Sequence, residues 1–286
     1  MRYQFIAAQG GQHKVHQMCR VLRVSPSGYY AWQTRPESQR TQANQVLLVR
    51  IKEEYQRSQK TYGSPRIHAA LRRKGVVCNR KRVARLMHLA GIAGKKAHRR
   101  APQTTRPDPT ARSAPNLLNQ DFSSLAPNQK WVVDLTYIDT AEGWLFLAIV
   151  LDLYSRQVVG WAMDQRKQTS LVEAALRMAL RKREPAPSLL HHSDQGSEYT
   201  SRDYQSVLTD HHCQVSMSRT GNCFDNATME SFFSTLKTEC AHHQFASRAE
   251  ARRVLFEYIE GWYNRQRLHS ALGYRSPVEF ELISRH

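Results

Sequence analysis

The chain has 286 residues, with 42 lysines and arginines against 24 aspartates and glutamates, a formal net charge of +18. Residues 1–130 carry 25 basic and 5 acidic side chains, whereas residues 131–286 carry 17 and 19. A segment this basic indicates nucleic acid as the partner, because bound phosphates release counterions, with a merely solubilising surface as the alternative. The 41% hydrophobic content argues against disorder, and no apolar run approaches the ~20 residues that span a bilayer.

The N-terminus and the cysteines indicate where the protein resides. Met1 is followed by RYQFIAAQGGQ, which lacks the apolar core of a signal peptide. The five cysteines are scattered and form no CxxC pair, so they predict reduced thiols. We therefore expect a cytoplasmic protein with no membrane partner. A zinc site from His211, His212, Cys213 and Cys223 is conceivable, but its spacing fits no common template.

Residues 1–38 are predicted to form an N-terminal segment of short helices. HQMCRVL (16–22) is amphipathic, and Ser25 before Pro26 is a suitable cap for the helix that follows. Helix, turn and helix in this order are typical of a helix-turn-helix unit, although an ordinary helical hairpin has the same pattern.

Residues 39–94 predict a second helix-turn-helix-like domain, which we expect to bind DNA. A helix over 41–60 precedes a helix that begins at Ser64-Pro65 and ends at Gly75, and Asn79 caps the next helix. The first half of that last helix is basic, with Arg80, Lys81, Arg82 and Arg85. A recognition helix presents its early residues to DNA, so these four side chains are predicted to contact it. The alternative is a solvated basic face.

Residues 95–127 are predicted to be a basic, proline-rich linker. They carry Lys95, Lys96, Arg99 and Arg100, followed by five prolines. This composition favours an extended tether, whose basic residues are candidate DNA contacts along the phosphate backbone.

Residues 128–245 change to a mixed α/β pattern, and residues 246–286 to a helical extension. Strands are predicted at 131–138, 144–152, 158–163, 188–192 and 214–218, and helices at 170–183, 200–210 and 227–238. The first three strands suggest an antiparallel meander. A helix over 249–263 is predicted to close the sheet by packing, with DNA contacts from Arg265, Arg267 or His269 as the alternative.

Three carboxylates stand out by their positions. Asp134 lies inside an apolar strand, Asp194 ends the fourth strand, and Glu230 lies in the first turn of a helix. A charge in a buried strand is costly unless it is paired or bound to metal. Oxygen ligands without histidine or cysteine suit Mg²⁺ or Mn²⁺, and two such ions can serve phosphodiester chemistry. Asp225 is interpreted instead as a helix cap.

The strings around these carboxylates carry a resemblance. WVVDLTYI, HHSDQGSEYTS and GNCFDNATMESFFSTLKTE contain them, and 35 residues separate Asp194 from Glu230. With RVSPSGYYAW, YGSPRIHAAL and YNRQRLHSALGYRSPVEFE, they resemble the catalytic frame-B protein of the insertion-sequence-three (IS3) transposases, in the retroviral-integrase (DDE) superfamily. The resemblance implies an RNase H-like core in which Asp134, Asp194 and Glu230 hold two metal ions. It also implies that Lys237 touches DNA near the cleaved bond. Glu198 stands where the family commonly has glutamine.

The resemblance implies an enzyme that cleaves and joins DNA strands at insertion-sequence ends, in the bacterial cytoplasm and nucleoid. Its partners would be double-stranded terminal repeats and target DNA, further copies of the chain in a homodimer or higher oligomer, and a frame-A protein or fusion. Two other functions stay open: a catalytically inactive repressor that binds element ends, and an RNase H-type nuclease. Metal-dependent nicking and strand-transfer products would separate the three.

Overall fold

A computed structural model of the chain describes residues 1–95, 114–219 and 222–284. Contacts between residues divide the chain into two compact units, Met1–Lys52 and Glu53–His286. In the described parts of the chain, no helix is both long and apolar enough to cross a membrane.

The first unit is helical. It contains α1 (Arg2–Gln9), α2 (Val15–Val21), α3 (Pro26–Thr34) and most of α4 (Gln39–Arg57). The sequence patterns had indicated α2, α3 and α4 but not α1. Ser25 caps α3 as expected, because its hydroxyl accepts a hydrogen bond from the Gly28 amide. A small core of Ile6, Met18, Cys19 and Tyr29 holds the first three helices together.

The second unit begins with two short helices, α5 (Ser64–Arg73) and α6 (Arg80–Leu89). Gly75 follows α5 with a φ of +76°, a conformation that glycine adopts without steric cost. The Asn79 side chain caps α6 by accepting a hydrogen bond from the Lys81 amide at 2.7 Å. Helix α6 buries Val83, Leu86 and Met87. Arg80, Lys81 and Arg85 of this helix stay exposed, and Arg82 is half-buried.

The centre of the second unit is a five-stranded mixed sheet. Its strands are β1 (Lys130–Ile138), β2 (Leu145–Asp152), β3 (Val158–Asp164), β4 (Leu190–Ser193) and β5 (Gln214–Met217). The order across the sheet is β3-β2-β1-β4-β5. Strands β1, β2 and β3 pair antiparallel, which confirms the predicted meander, and β4 and β5 continue the sheet in parallel with β1. The parallel strands are reached through helical crossovers, as such pairing requires.

Helices cover the sheet. They are α7 (Thr169–Arg183), α8 (Ser197–Thr200), α9 (Arg202–Asp210) and α10 (Ala227–Glu239). Helix α7 packs on the sheet through buried apolar residues such as Val172 and Leu176. It approaches β3 closely at Gly160, where a Cβ atom would lie 2.2 Å from the Ala175 carbonyl oxygen. Only glycine permits that approach.

The C-terminal extension packs on the rest of this unit. Helix α11 (Arg248–Phe256) continues into a π-helical turn (Glu257–Tyr263), and α12 (Pro277–Ile283) follows. The Asn264 side chain bonds both the amide and the carbonyl of Val158 on edge strand β3, each at 2.9 Å. Further along, the Leu268 amide donates to the Tyr62 hydroxyl at 2.7 Å, and its carbonyl accepts from the Arg66 Nε at 3.0 Å. The extension therefore joins the sheet to the α5 region.

Candidate active site

Strand pairing brings two of the predicted carboxylates together. Strands β1 and β4 run parallel with Val132 opposite His192, so two residues further on Asp134, in the middle of β1, lies beside Asp194, just past the end of β4. Asp134 accepts a hydrogen bond from the Leu135 amide at 2.7 Å, and Asp194 accepts one from the Gly196 amide at 2.9 Å. Both side chains are half-buried.

Helix α10 supplies the third carboxylate. Glu230 lies in its first turn, and the Asn226 side chain donates to the Val133 carbonyl of β1 at 3.4 Å. That contact fixes the start of α10 beside the strand that carries Asp134.

The turn before α10 is held by Asp225, which corrects one sequence interpretation. Asp225 does not cap α10; Asn226 occupies the cap position. The buried Asp225 carboxylate instead accepts hydrogen bonds from Arg219, Asn116 and Gln120. These donors, the Arg219 guanidinium first, hold the pKa of Asp225 well below its usual range. The cap interpretation failed because spacing along the chain does not reveal donors from distant segments.

The electrostatics of the site are those of crowded negative charge. Burial, then the charges of Asp194 and Glu230, raise the pKa of Asp134 to about 8, against the lowering effects of the Leu135 amide and Lys167. Partial desolvation raises the pKa of Glu230, although its side chain is largely exposed. Like charges close together disfavour ionisation unless a cation compensates them.

Sequence reasoning did not assign a role to three residues beside these carboxylates: Lys167, Glu198 and Tyr199. The Lys167 ammonium lies 3.1 Å from the buried Glu198 carboxylate. A Cβ at Gly196 would lie 3.0 Å from both the Asp194 and the Glu198 carboxylates, so a side chain at this turn would have to displace them. The position of Glu198, four residues after Asp194 and in a family string, was the signal available.

The donor set fits a hard divalent cation. The three carboxylates offer only oxygen, the preferred ligand of Mg²⁺ and Mn²⁺. The buried Tyr199 hydroxyl has no hydrogen-bond partner among the described residues, and burial together with the charges of Asp134 and Asp194 raises its pKa well above the usual value. Across the described ranges, no three His, Cys, Asp or Glu side chains lie close enough together to hold a metal ion.

The neighbouring histidines of HHSD belong to the core. His191 and His192 are fully buried, and burial lowers their pKa values to about 3 and about 4. His191 bonds the Tyr204 hydroxyl at 2.9 Å, and His192 bonds Ser216 at 2.8 Å. Both are neutral packing residues of β4.

Lys237 lies on α10 at the end of β1. Its ammonium is 4.6 Å from the centre of the Tyr137 ring, and that ring packs edge-on against Trp144 with the ring centres 4.8 Å apart. Tyr137 is 37% exposed and Trp144 49% exposed. A cation and two partly exposed aromatic rings thus lie together near the end of β1, a combination suited to nucleic acid.

The other predicted DNA contacts have varied positions. Arg80, Lys81 and Arg85 are exposed on α6, and Arg82 is half-buried. Lys95 is exposed, and its ammonium lies 3.4 Å from the Glu239 carbonyl at the end of α10. Lys96, Arg99 and Arg100 lie outside the described residues.

Family models match most of the chain. Residues 124–223 and residues 211–277 each match a model described as "Integrase core domain", and residues 42–100 match one described as "HTH-like domain". These matches define an integrase-core protein with a helix-turn-helix-like region, which indicates DNA binding. The mixed sheet and its helices are accordingly the RNase H-like core that the resemblance implied.

Similar proteins identify the family within the integrase-core proteins. The chain is 43% identical over 284 residues to "Transposase InsF for insertion sequence IS3A" of Escherichia coli (strain K12), covering 98% of each chain. It is 46% identical over 264 residues to "Insertion element IS600 uncharacterized 31 kDa protein" of Shigella sonnei, covering 92% of this chain and 97% of that one. A solved structure, the HTLV-2 integrase catalytic core domain in complex with magnesium, is 16% identical with a TM-score of 0.40, covering 56% of this chain and 99% of that one.

The chain therefore belongs to the family of transposases encoded by insertion sequence IS3. Its integrase core is that of a DDE-type polynucleotidyl transferase, and the sequence-based prediction of a transposase is confirmed over that of an RNase H-type nuclease.

Proposed function

We propose that Asp134, Asp194 and Glu230 are the catalytic residues of this transposase, and that they hold two Mg²⁺ or Mn²⁺ ions. The observation that carries the proposal is the parallel pairing of β1 with β4, which sets Asp134 beside Asp194. The charges of both Asp194 and Glu230 act on Asp134, and a divalent cation held by these carboxylates would compensate that charge. When bound, such ions activate the attacking oxygen of a phosphodiester reaction and stabilise the leaving one.

The proposed reaction has two steps at an element end. In the first, a water oxygen bonds to phosphorus, the bond to the 3′ oxygen breaks, and a water proton passes to that oxygen to give a free 3′-hydroxyl. In the second, that hydroxyl attacks a target phosphodiester, and the displaced target 3′ oxygen takes up the proton. The chain positions the carboxylates for this reaction. The pairing of β1 with β4 fixes both aspartates, and the Asn226–Val133 contact fixes the helix that carries Glu230.

In this proposal, basic residues bind the DNA and hold it at the carboxylates. Lys237 contacts the strand near the cleaved bond, and the N-terminal half of α6 contacts the terminal repeats. The linker residues Lys95, Lys96, Arg99 and Arg100 follow the phosphate backbone. Two element ends and a target are brought together by a homodimer or higher oligomer in the bacterial cytoplasm, with a frame-A protein or fusion as a further partner.

The test is cleavage of a duplex that carries an element end. Asp134→Asn and Glu230→Gln are expected to reduce strand cleavage by more than about 1000-fold while leaving DNA affinity within about threefold. Asp139→Asn is the matched control, because Asp139 is an exposed aspartate just beyond the same strand. Normal cleavage by either first variant would refute the assignment. If the unaltered protein bound ends but never nicked them with Mg²⁺, the repressor would be the better description.

A further inference from the structure

A cavity of about 330 Å³ lies against α10, where Thr228 and Ser231 line it and Glu230 does not. Its walls come from three parts of the second unit: Arg66 on α5, Arg156 in the turn between β2 and β3, and Arg267 in the C-terminal extension. Three guanidinium groups facing one cavity repel each other unless anions compensate them. The RQRLHSAL string, to which the reaction assigns no role, supplies Arg267 and His269.

Of the three arginines, Arg267 has a carboxylate of its own. It makes a bidentate ion pair with the buried Glu239, with its Nη2 2.7 Å and its Nε 2.9 Å from the two carboxylate oxygens. No described carboxylate forms an ion pair with Arg66 or Arg156, and Asp152, whose charge favours ionised Arg156, is itself buried. The cavity therefore keeps a net positive charge.

The remaining polar groups are those that bind oxyanions. Arg156 Nη1 donates to the Thr228 hydroxyl at 2.8 Å, and the Ser231 side chain also lines the cavity. His269 Nε2 is buried and has no hydrogen-bond partner within the described parts of the chain. Burial and the neighbouring arginines lower the pKa of His269 to about 2, so its ring is neutral and adds a donor or acceptor without charge.

Contacts with two other segments position the Arg156 side chain. Arg156 itself lies in the turn between β2 and β3. Its side chain is half-buried and reaches across to α10 and to the Phe122 carbonyl.

We propose that this cavity binds one phosphate group of the DNA backbone, held between Arg66 and Arg156. Guanidinium groups bind phosphate oxygens through paired hydrogen bonds, and the hydroxyls of Thr228 and Ser231 complete the site. Thr228 and Ser231 lie on α10, the helix that also carries Glu230, so the bound phosphate fixes the strand against that helix. The proposal rests on the proposed function insofar as the ligand is DNA.

The test measures DNA affinity without divalent metal, so that cleavage does not interfere. Arg66→Gln and Arg156→Gln should each weaken binding of an end-carrying duplex about tenfold and reduce the salt slope by about one. The double variant should lose little more, since both arginines hold the same phosphate. Arg253→Gln, which removes an exposed arginine paired with Glu257, is the matched control and should change neither quantity.

A phosphate scan locates the contact on the DNA. Replacing each phosphate in turn by a neutral methylphosphonate should reveal one linkage whose neutralisation weakens binding by the wild-type chain but not by Arg66→Gln or Arg156→Gln. Binding of inorganic phosphate alone, without any sensitive linkage, would overturn DNA as the ligand. Unchanged affinity and unchanged slopes in both folded variants would overturn the site itself.

A second variant guards against loss of folding. Ser231 is exposed in the interior of α10, so Ser231→Glu should fold and place a carboxylate near the two arginines. We expect it to preserve or raise Tm while abolishing the sensitivity to the one linkage. If Ser231→Glu bound DNA with full linkage sensitivity, the proposal would fail. Mg²⁺-dependent cleavage by the wild type tests the catalytic assignment separately, so the two failures are distinguishable.

Discussion

The ammonium of Lys237 lies over the ring of Tyr137, 4.6 Å from its centre. This contact ties α10, which carries Glu230, to β1, which carries Asp134. Because Trp144 packs edge-on against the same ring, the lysine is directed by an aromatic pair at the surface. A cation beside exposed aromatic faces offers one group for a phosphate and another for stacking an unpaired base.

Replacement of Tyr137 separates stacking from the hydroxyl. Tyr137→Leu should weaken binding of a duplex with frayed ends about tenfold, because base–aromatic stacking contributes roughly 1–3 kcal/mol. Tyr137→Phe keeps the ring and should bind within about twofold of the wild type. Fluorescence anisotropy with frayed and fully paired duplexes measures both. An equal loss of affinity in Tyr137→Leu and Tyr137→Phe would show that the ring does not contribute to DNA binding by stacking.

Thermal stability should depend on Asp134 with a defined sign. The folded chain keeps Asp134 protonated up to about pH 8, whereas the usual pKa of an aspartate is 3.8. Between these values the folded state binds more protons, so this group lowers stability as pH rises from about 4 to about 8. Asp134→Asn should therefore raise Tm at pH 8 without metal by roughly 5 °C or more, and much less at pH 4.

Addition of Mg²⁺ provides the complementary measurement. It should raise the Tm of the wild type at pH 8 and leave Asp134→Asn almost unchanged, because only a ligand bound to the folded state stabilises it. Removal of the metal by a chelator should reverse the effect. Scanning calorimetry measures the Tm of both proteins with and without Mg²⁺. An identical rise in Tm in the two proteins would contradict a role for Asp134 in binding the ion.

The Lys167–Glu198 pair should respond asymmetrically to substitution. Lys167 is 41% exposed at its side chain and Glu198 only 9%. Lys167→Met leaves a buried carboxylate without its cation, so we expect it to cost about 1–3 kcal/mol of unfolding free energy. Glu198→Gln leaves an exposed ammonium and should cost less than about 1 kcal/mol. A double-mutant cycle in urea measures the coupling energy, and a value near zero would argue against the pair.

The buried Arg267–Glu239 pair should be sensitive in the same way but more strongly. Both side chains are at most 7% exposed, and Tyr258 also donates to Glu239 at 2.9 Å. Glu239→Gln should destabilise the chain by about 3–5 kcal/mol because it leaves a buried guanidinium without its anion. Replacing both partners by Leu and Met should restore a large part of that loss. Urea unfolding at pH 7 gives the comparison, and a harmless Glu239→Gln would show the pair to be dispensable.

Much of the fold was predictable because its signals are local. The alternation in β1, the apolar run of β2 and the caps at Ser25 and Asn79 all act within a few residues. The three catalytic candidates also came from local strings, and the pairing of β1 with β4 sets Asp134 beside Asp194. Their catalytic role stays a prediction, as do the domain boundaries and the DNA contacts.

The features that the sequence did not predict depend mostly on contacts between distant segments of the chain. The carboxylate of Asp225 resembles a cap in the sequence, but its partners include Asn116 and Gln120, more than 100 positions away. Arg66 and Arg267 are likewise far apart in the chain and share one cavity only after folding. The periodicity of apolar residues along the chain carries no information on contacts between such distant segments. Helix α1 was missed for another reason, since no capping side chain marks its start as Ser25 marks that of α3.

The bonds from Leu268 to Tyr62 and Arg66 have a consequence for where DNA is cut. They join the α5 region to the C-terminal extension within the second unit. In the proposed function, α6 contacts the terminal repeat and the three carboxylates cleave the strand, so the chain sets the number of base pairs between the recognised sequence and the cleaved bond. On that proposal, one base pair inserted between them moves the cleaved bond by one position, away from the natural end of the element.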